Sequence, residues 1–474
     1  MSLGIARNDL APGSDEVDRH LALGNALLAR KELAGAAASY RQVVALEPQH
    51  WIAQLKLAHV LKLSKEFDAA LEILQPLALE QPENPLVHKE FGRVFFALEQ
   101  FDDAIKCFRN VLQLNPCDAH AHHWLASIAH LRGNSATARQ HFERTAQLNP
   151  LLRVAAPKQP ASFSILLLFA PGAANTPPEA LVEMAEYDSY FLMLLAGADY
   201  DVPLLQRHAS LVVNLISDVD QAREILPVAD ALVERLGLPV INPPHKIMTT
   251  DRESIARLLA GIQFCCIPRV QFIPNEQLSA TNRDELAQQF SLPLLVRVAG
   301  AHGGHDFEKI EEPPALASFL ARHPAADFYL TQYVDYQSAD GFFRKYRFIY
   351  VDGEILPYHL AIGSGWKVHH GTTDMAHHAW MQREEEAFLN DPAGVFDPQQ
   401  FATLRRIQQA VGLDFCGIDC ALDRQGNVVV FEVNASMLVH RANANFAYKT
   451  AHVDRIKTAF DAMLRNRVPR KAPA

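Results

Sequence analysis

Over the first third of the chain, small and large apolar positions return in a pattern that repeats every 34 residues. Prolines stand at 48, 82, 116 and 150, and the positions between them keep one phase. Gly24, Ala58, Gly92 and Ala126 hold the same place in successive units. Ala36, Ala70, Ala104 and Ala138 recur in a second place, and the bulky Tyr40, Leu74, Phe108 and Phe142 in a third. Two antiparallel helices per unit account for this: small residues let them cross closely, a large one fills the groove beside them, and proline ends the second. A fixed period of this length is the mark of a helical repeat array.

After Pro150 the pattern changes to alternating strands and helices. Lys158-Gln159-Pro160 reads as a linker, within a connecting stretch at 153–162. It is followed by the apolar strand Ser164–Phe169, a Gly/Pro-rich loop at Pro171–Pro178 and a helix near Glu179–Glu186. A strand over Leu211–Ile216, a helix over Asp220–Leu236 and a strand at Pro239–Asn242 complete a small parallel-sheet unit over 163–244. From 245 to 465 the signals become mixed: a helix at Asp251–Leu259, then strand pairs with turn chemistry between them. Asp352-Gly353 joins Tyr346–Val351 to Glu354–Ala361, a strong hairpin signal. That register pairs Arg347 with Tyr358, sets Lys345 on the same face, and turns His359 to the packing side with Tyr346 and Phe348. The ends, 1–16 and the basic 466–474, read as a disordered start and a tail.

Composition narrows the function. A net charge of −10 argues against general binding of nucleic acid or anionic membranes. The longest apolar run, Phe163–Ala170, is too short to span a bilayer, and no secretory leader is visible, so a cytoplasmic protein is expected. Six scattered cysteines without a CxxC pair fit reduced thiols. Histidines at 120, 122, 123, 130 and 141 lack carboxylate neighbours and read as surface or groove residues rather than metal ligands.

The chemistry sits in Phe415–Val439 (FCGIDCALDRQGNVVVFEVNASMLV). Cys416–Leu422 and Val428–Asn434 read as strands, with the turn in Asp423–Asn427. An even-length loop centred between Gln425 and Gly426 sets Asp419 opposite Glu432, with Asn434 on the same face. Opposed carboxylates repel unless a cation lies between them, and oxygen donors of this kind suit Mg²⁺ shared with phosphates. An odd-length loop instead sends the two carboxylates to opposite faces.

The N-terminal units, residues 17–152, resemble tetratricopeptide repeats, which implies a solenoid whose concave face docks a peptide or protein. The Asp…Glu-x-Asn hairpin resembles the metal-binding hairpin of the ATP-grasp superfamily. Glu432–Ser436 (EVNAS) is similar to the ribosomal-protein glutamate ligase and glutathione synthetase-like branch. The resemblance implies an all-α solenoid followed by an α/β pre-ATP-grasp subdomain and an α+β ATP-grasp fold. It also implies ATP as cosubstrate, with Asp419, Glu432 and Asn434 as Mg²⁺ ligands. Arg252 and Arg297 stand where the family places phosphate-binding lysines, and Gly300, Gly303 and Gly304 form the flap. Gln332, Tyr333 and Val334 match the strand whose backbone meets adenine, Asp335 the ribose contact, and Arg347 the catalytic arginine at the γ-phosphate. Gly417 and Ser436-Met437 depart from family patterns, and the insertion-like loop at 363–378 offers Lys367, His369 and His370 as substrate contacts. The implied activity is ligation of a carboxylate to an amine or thiol through an acylphosphate. Phosphoryl transfer to an alcohol, and a nucleotide-binding scaffold, are the alternatives.

Overall fold

The computed structural model describes residues 14–30, 32–132, 134–156, 160–172, 174–177, 181, 186–277, 290–300, 306–368, 373–437, 439 and 446–469. The chain divides into two compact units, Met1–Pro150 and Leu151–Ala474.

The first unit is made of helices α1 (Ser14–Ala29), α2 (Leu33–Leu46), α3 (Trp51–Leu63), α4 (Phe67–Glu80), α5 (Pro85–Ala97), α6 (Phe101–Leu114), α7 (Ala119–Leu131) and α8 (Ser135–Leu148). Helix α1 begins at Ser14, inside the stretch expected to be disordered. The repeat phase has a direct packing cause. A methyl group on Gly24 would meet the Tyr40 ring at 2.6 Å, and one on Gly92 would meet Phe108 at 2.9 Å. The small position on each first helix is thus the seat of the large residue on the second. Tyr40, Leu74, Phe108 and Phe142 are all buried. Each in-phase proline falls two residues beyond the end of α2, α4, α6 or α8. Asn84 and Asp118 then cap the following helices, accepting from Leu86 N–H and Ala121 N–H.

Among the described residues the second unit holds three sheets. In the first, β2 (Ser164–Phe169), β3 (Asp188–Met193), β4 (Leu211–Asn214) and β5 (Val240–Ile241) run parallel. The antiparallel β1 (Leu152–Val154) edges it in the order β1-β3-β2-β4-β5. The expected linker therefore opens as a strand, and β3 is a strand that the sequence reading passed over. The helix expected over 220–236 is broken into Val219–Ala222 and Leu226–Leu236, because Pro227 can only enter the second at its first turn. The helix expected near 179–186 lies largely outside the described residues.

The second sheet is antiparallel, β7 (Val270–Ile273), β10 (Phe328–Gln332), β8 (Leu294–Val298) and β9 (Phe307–Ile310) in the order β7-β10-β8-β9. Helix Pro313–Arg322 covers one side through Leu316, Phe319 and Leu320. The third sheet contains β11 (Phe343–Val351), β12 (Glu354–Gly363), β13 (Phe415–Leu422), β14 (Val428–Asn434) and the short parallel β6 (Cys265–Cys266). Its order is β12-β11-β13-β14-β6. Tyr346, Phe348, Ile418 and Val430 pack one face against helices Ala379–Asn390 and Pro398–Val411. The other face is apolar at one end, where Ile349, Val351 and Phe415 meet helix Thr450–Arg467, and charged in the middle.

Two β-bulges place that charge. The turn of the carboxylate hairpin is five residues long, Asp423–Asn427, so Leu422 pairs with Val428 and Cys420 with Val430. This odd register alone would send Glu432 to the core face with Val428 and Val430. An extra residue, Phe431, shifts the register, and Asp419 lies opposite Glu432 after all. On β12 the register from the Asp352-Gly353 turn holds as far as Phe348↔Pro357 and then slips at Tyr358. Arg347 therefore pairs with His359, not with Tyr358, and His359 is turned off the core face. The expectation of an in-register hairpin with His359 in the packing is corrected on both counts.

Candidate functional site

The two slips align one polar row across four strands: His359 on β12, Arg347 on β11, Asp419 on β13 and Glu432 on β14. The row forms the floor of a cavity of about 550 Å³, roofed by the β7-β10-β8-β9 sheet and reached by the segment after β4.

Arg347 grips Asp419 bidentately, Nε donating to Oδ1 at 2.6 Å and Nη2 to Oδ2 at 2.9 Å. Lys345, one alternation away on β11, lies 3.0 Å from Oδ2. Burial pushes the Asp419 carboxyl up, but the charges of Arg347 and Lys345 outweigh it and hold it far below the usual carboxylate range. Glu432 accepts from Arg252 Nη2 at 2.8 Å. Its pKa is likewise lowered, burial being outweighed by Arg252 and Arg297. Arg252 reaches it from the first turn of helix Arg252–Leu259, whose cap is Asp251 accepting from Ser254 N–H at 2.9 Å.

Arg297 on β8 enters from the roof, its guanidinium 4.4 Å from the centre of the Phe307 ring. Burial lowers its pKa to about 10. Asn434 is held by Ser436, whose N–H and hydroxyl both donate to its Oδ1 at 2.6 Å, while its Nδ2 faces Glu432 at 3.5 Å. Four cationic side chains thus face two carboxylates at this end of the cavity, which Asp218, Asp220 and Asp251 also line, and the cations suit an anionic group.

Gln332 at the end of β10 lines the cavity with Tyr333 and Val334 just after it, and Gly300 lines it at φ +75°, a backbone state that favours glycine. Gly303, Gly304, His369 and His370 lie outside the described residues. Asp335 is not among the lining residues. Its carboxylate accepts from Gln337 N–H at 3.1 Å and faces Arg424. Lys367 does line the cavity, and its Nζ donates to Phe307 O at 3.2 Å. Gly417 and Met437 prove to be one feature: a methyl group on Gly417 would fall 2.0 Å from Met437 Cγ. The Met437 side chain occupies the space that any longer residue at 417 would need.

Sequence reasoning missed the group behind His359, namely Glu385 on helix Ala379–Asn390 and the adjacent Tyr448 and Lys449 far along the chain. It also missed Asp220, which accepts from the Tyr329 hydroxyl at 3.0 Å on the cavity wall. Lys345 was legible, since it alternates with Arg347.

Residues 27–89 and 89–152 each match the tetratricopeptide repeat family, and the first unit carries such repeats. No curated protein matches the chain. Among solved structures, MamA (41-end) from Desulfovibrio magneticus RS-1 is similar at 21% identity, over 28% of this chain and 76% of that one, with a TM-score of 0.27. A tetratricopeptide repeat protein from Parabacteroides merdae is similar at 14% identity, over 29% and 54%, with a TM-score of 0.27. A D-alanine–D-alanine ligase from Bacillus anthracis, complexed with ATP, is similar at 13% identity, over 65% of this chain and 98% of that one, with a TM-score of 0.42. All three TM-scores are low, and the second unit is read from its own geometry. No helix among the described residues is long and apolar enough to cross a membrane.

Proposed function

We propose that the second unit is an ATP-dependent ligase of the ATP-grasp kind, joining a carboxylate to an amine through an acylphosphate. The repeats would recruit the peptide or protein that carries one of the two groups. The observation that carries this reading is the polar row. Two opposed carboxylates and four cations, Arg252, Arg297, Lys345 and Arg347, face one another between the second and third sheets. A nucleotide held between the sheets would set its phosphates on the cations and its base against Tyr333 and Val334.

The donor chemistry fits a hard divalent cation. Among the described residues no group of three or more His, Cys, Asp or Glu side chains gathers at one point. A Mg²⁺ ion would rest on Asp419, Glu432, the Asn434 amide and phosphate oxygens, where it would supply charge neutralisation for phosphoryl transfer. The protein's own residues supply position and charge. Arg347 and Lys345 would orient the γ-phosphate toward the substrate carboxylate, and Arg252 and Arg297 would hold the phosphates behind it. The apolar walls at Tyr358, Met375 and Phe446 would keep water from the acylphosphate.

Calorimetric titration of ATP into wild type and Glu432→Ala, with and without Mg²⁺, tests the reading. Mg²⁺-dependent binding in wild type, weakened at least about tenfold in the variant, is expected, a loss of roughly 1.4 kcal/mol. Equal affinity in both proteins would remove Glu432 from the site, and no binding to wild type would remove the nucleotide.

A further inference from the structure

The polar row ends on a group that nucleotide binding leaves unused. His359 Nδ1 is hydrogen-bonded to Glu385 Oε1, on a carboxylate whose side chain is wholly buried. Glu385 is itself fixed on every side. Tyr448 Oη donates to Oε2 at 2.6 Å, Leu360 N–H to Oε1 at 3.2 Å, and Lys449 Nζ lies 3.2 Å from Oε1. Nδ1 faces both this carboxylate and Lys449 Nζ, 3.0 Å away; with the ammonium donating to Oε1, the carboxylate takes the Nδ1 proton and Nε2 is left as the acceptor. Yet Nε2 meets no hydrogen-bond partner, although it is buried. A buried acceptor left unsatisfied costs about 1–3 kcal/mol, and proteins retain such atoms where a ligand supplies the missing donor.

The position favours a ligand. His359 lines the cavity and is the direct cross-strand neighbour of Arg347, next along the row from the carboxylates. The β-bulge at Tyr358 puts it there; without that slip it would pack in the core. The walls on this side, Tyr358, Met375 and Phe446, are largely apolar, while the phosphate-binding cations lie beyond Arg347. A carboxylate that orients an imidazole through Nδ1 and leaves Nε2 without a partner beside the cavity is the arrangement of a positioned base.

We infer that His359 takes the proton from the amine that completes the reaction proposed above, with Glu385 as its positioning residue; the assignment rests on that reading of the site. The amine nitrogen attacks the acyl carbon of the acylphosphate. The C–N bond forms and the C–O bond breaks, phosphate leaves with the electron pair, and the surplus proton on nitrogen passes to Nε2. The groups facing the ring are Glu385, Lys449 and Arg347, and burial lowers the His359 pKa to about 4, so the ring is neutral at neutral pH. Glu385 stays ionised at about 2, because His359 and Lys449 outweigh its burial.

The test separates attack that needs a base from attack that does not. Wild type, His359→Gln and Tyr448→Phe are given Mg²⁺–ATP with a mixture of the standard amino acids and a tryptic digest of serum albumin, which together offer free and peptide carboxylates and amines, and in parallel with hydroxylamine added. Hydroxylamine is already neutral near neutral pH, and after attack its weakly basic nitrogen gives up the surplus proton to water without a catalytic base. ADP, hydroxamate and amide product are read together, with ATP affinity as the check on folding. Expected is an H359Q protein with ATP affinity and hydroxamate yield within about threefold of wild type, and amide formation down about 100-fold or more. Y448F, which loosens Glu385 without removing its charge, should show the same split to a smaller degree. Hydroxamate and amide falling together, or neither falling, overturns the base and leaves the ligase reading intact. No ADP from wild type under any of these conditions sinks the ligase reading, and the inference with it.

Discussion

Asp419 is nearly inaccessible to solvent in the middle of a sheet, a place where an ionised carboxylate is costly unless paired. It remains ionised because Arg347 meets it with two parallel hydrogen bonds and Lys345 adds a third contact. The same economy of space governs its neighbour two residues back. Gly417 sits under Met437, whose Cγ and Cβ would lie 2.0 and 2.8 Å from an added methyl group. Gly417→Ala should therefore overpack the hairpin and cost about 1–3 kcal/mol in denaturant unfolding. Combining it with Met437→Ala should recover part of that loss, since the pair shares one volume. Purely additive losses in the double variant would show that Met437 is not what constrains Gly417. Met437 fills the space that a longer side chain at 417 would need.

At the scale of elements, the repeats were legible and the bulges were not. The 34-residue phase maps onto contacts within each helix pair, so composition at three positions per unit was enough. A bulge is decided by the whole sheet, and its trace in sequence is faint. On β14 the core positions run Val428, Val430, Val433, a step of two and then of three. On β12 the residues around Tyr358 are apolar almost throughout, so alternation cannot mark the slip. Asp419 opposite Glu432 was reached from an even turn, whereas the structure reaches it by an odd turn and a compensating bulge. That turn is tied to a helix behind the sheet. In the capping box of helix Pro398–Val411, Gln400 Oε1 accepts from Asp397 N–H at 2.8 Å, while its Nε2 donates to Gly426 O at 2.9 Å. Gln400→Ala should cost about 1–2 kcal/mol, the loss of one cap bond and one turn bond, with ATP affinity changed less than about threefold. A stability change within measurement error would mean that cap and turn hold without each other.

At the scale of the whole molecule, the two units rest on different kinds of cooperativity. The repeats are held by contacts between neighbouring helix pairs, so their stability is a sum of local interfaces. The second unit encloses its cavity between sheets that share cores with the helices around them. A nucleotide that binds only the folded second unit adds RT ln(1 + [L]/Kd) to its stability, about 2.7 kcal/mol at a hundredfold excess over Kd. The repeats gain nothing unless they are energetically joined to that unit. Scanning calorimetry of the full chain should therefore show two transitions, with Mg²⁺–ATP raising one by several degrees and leaving the other in place. Glu432→Ala identifies which is which, because the transition that moves in wild type should stay still in the variant. A single transition that moves as one would mean that the repeats feel the nucleotide. Recruitment and chemistry would then be coupled, so that a peptide docked on the repeats must tighten ATP binding by the same factor that ATP tightens the peptide's.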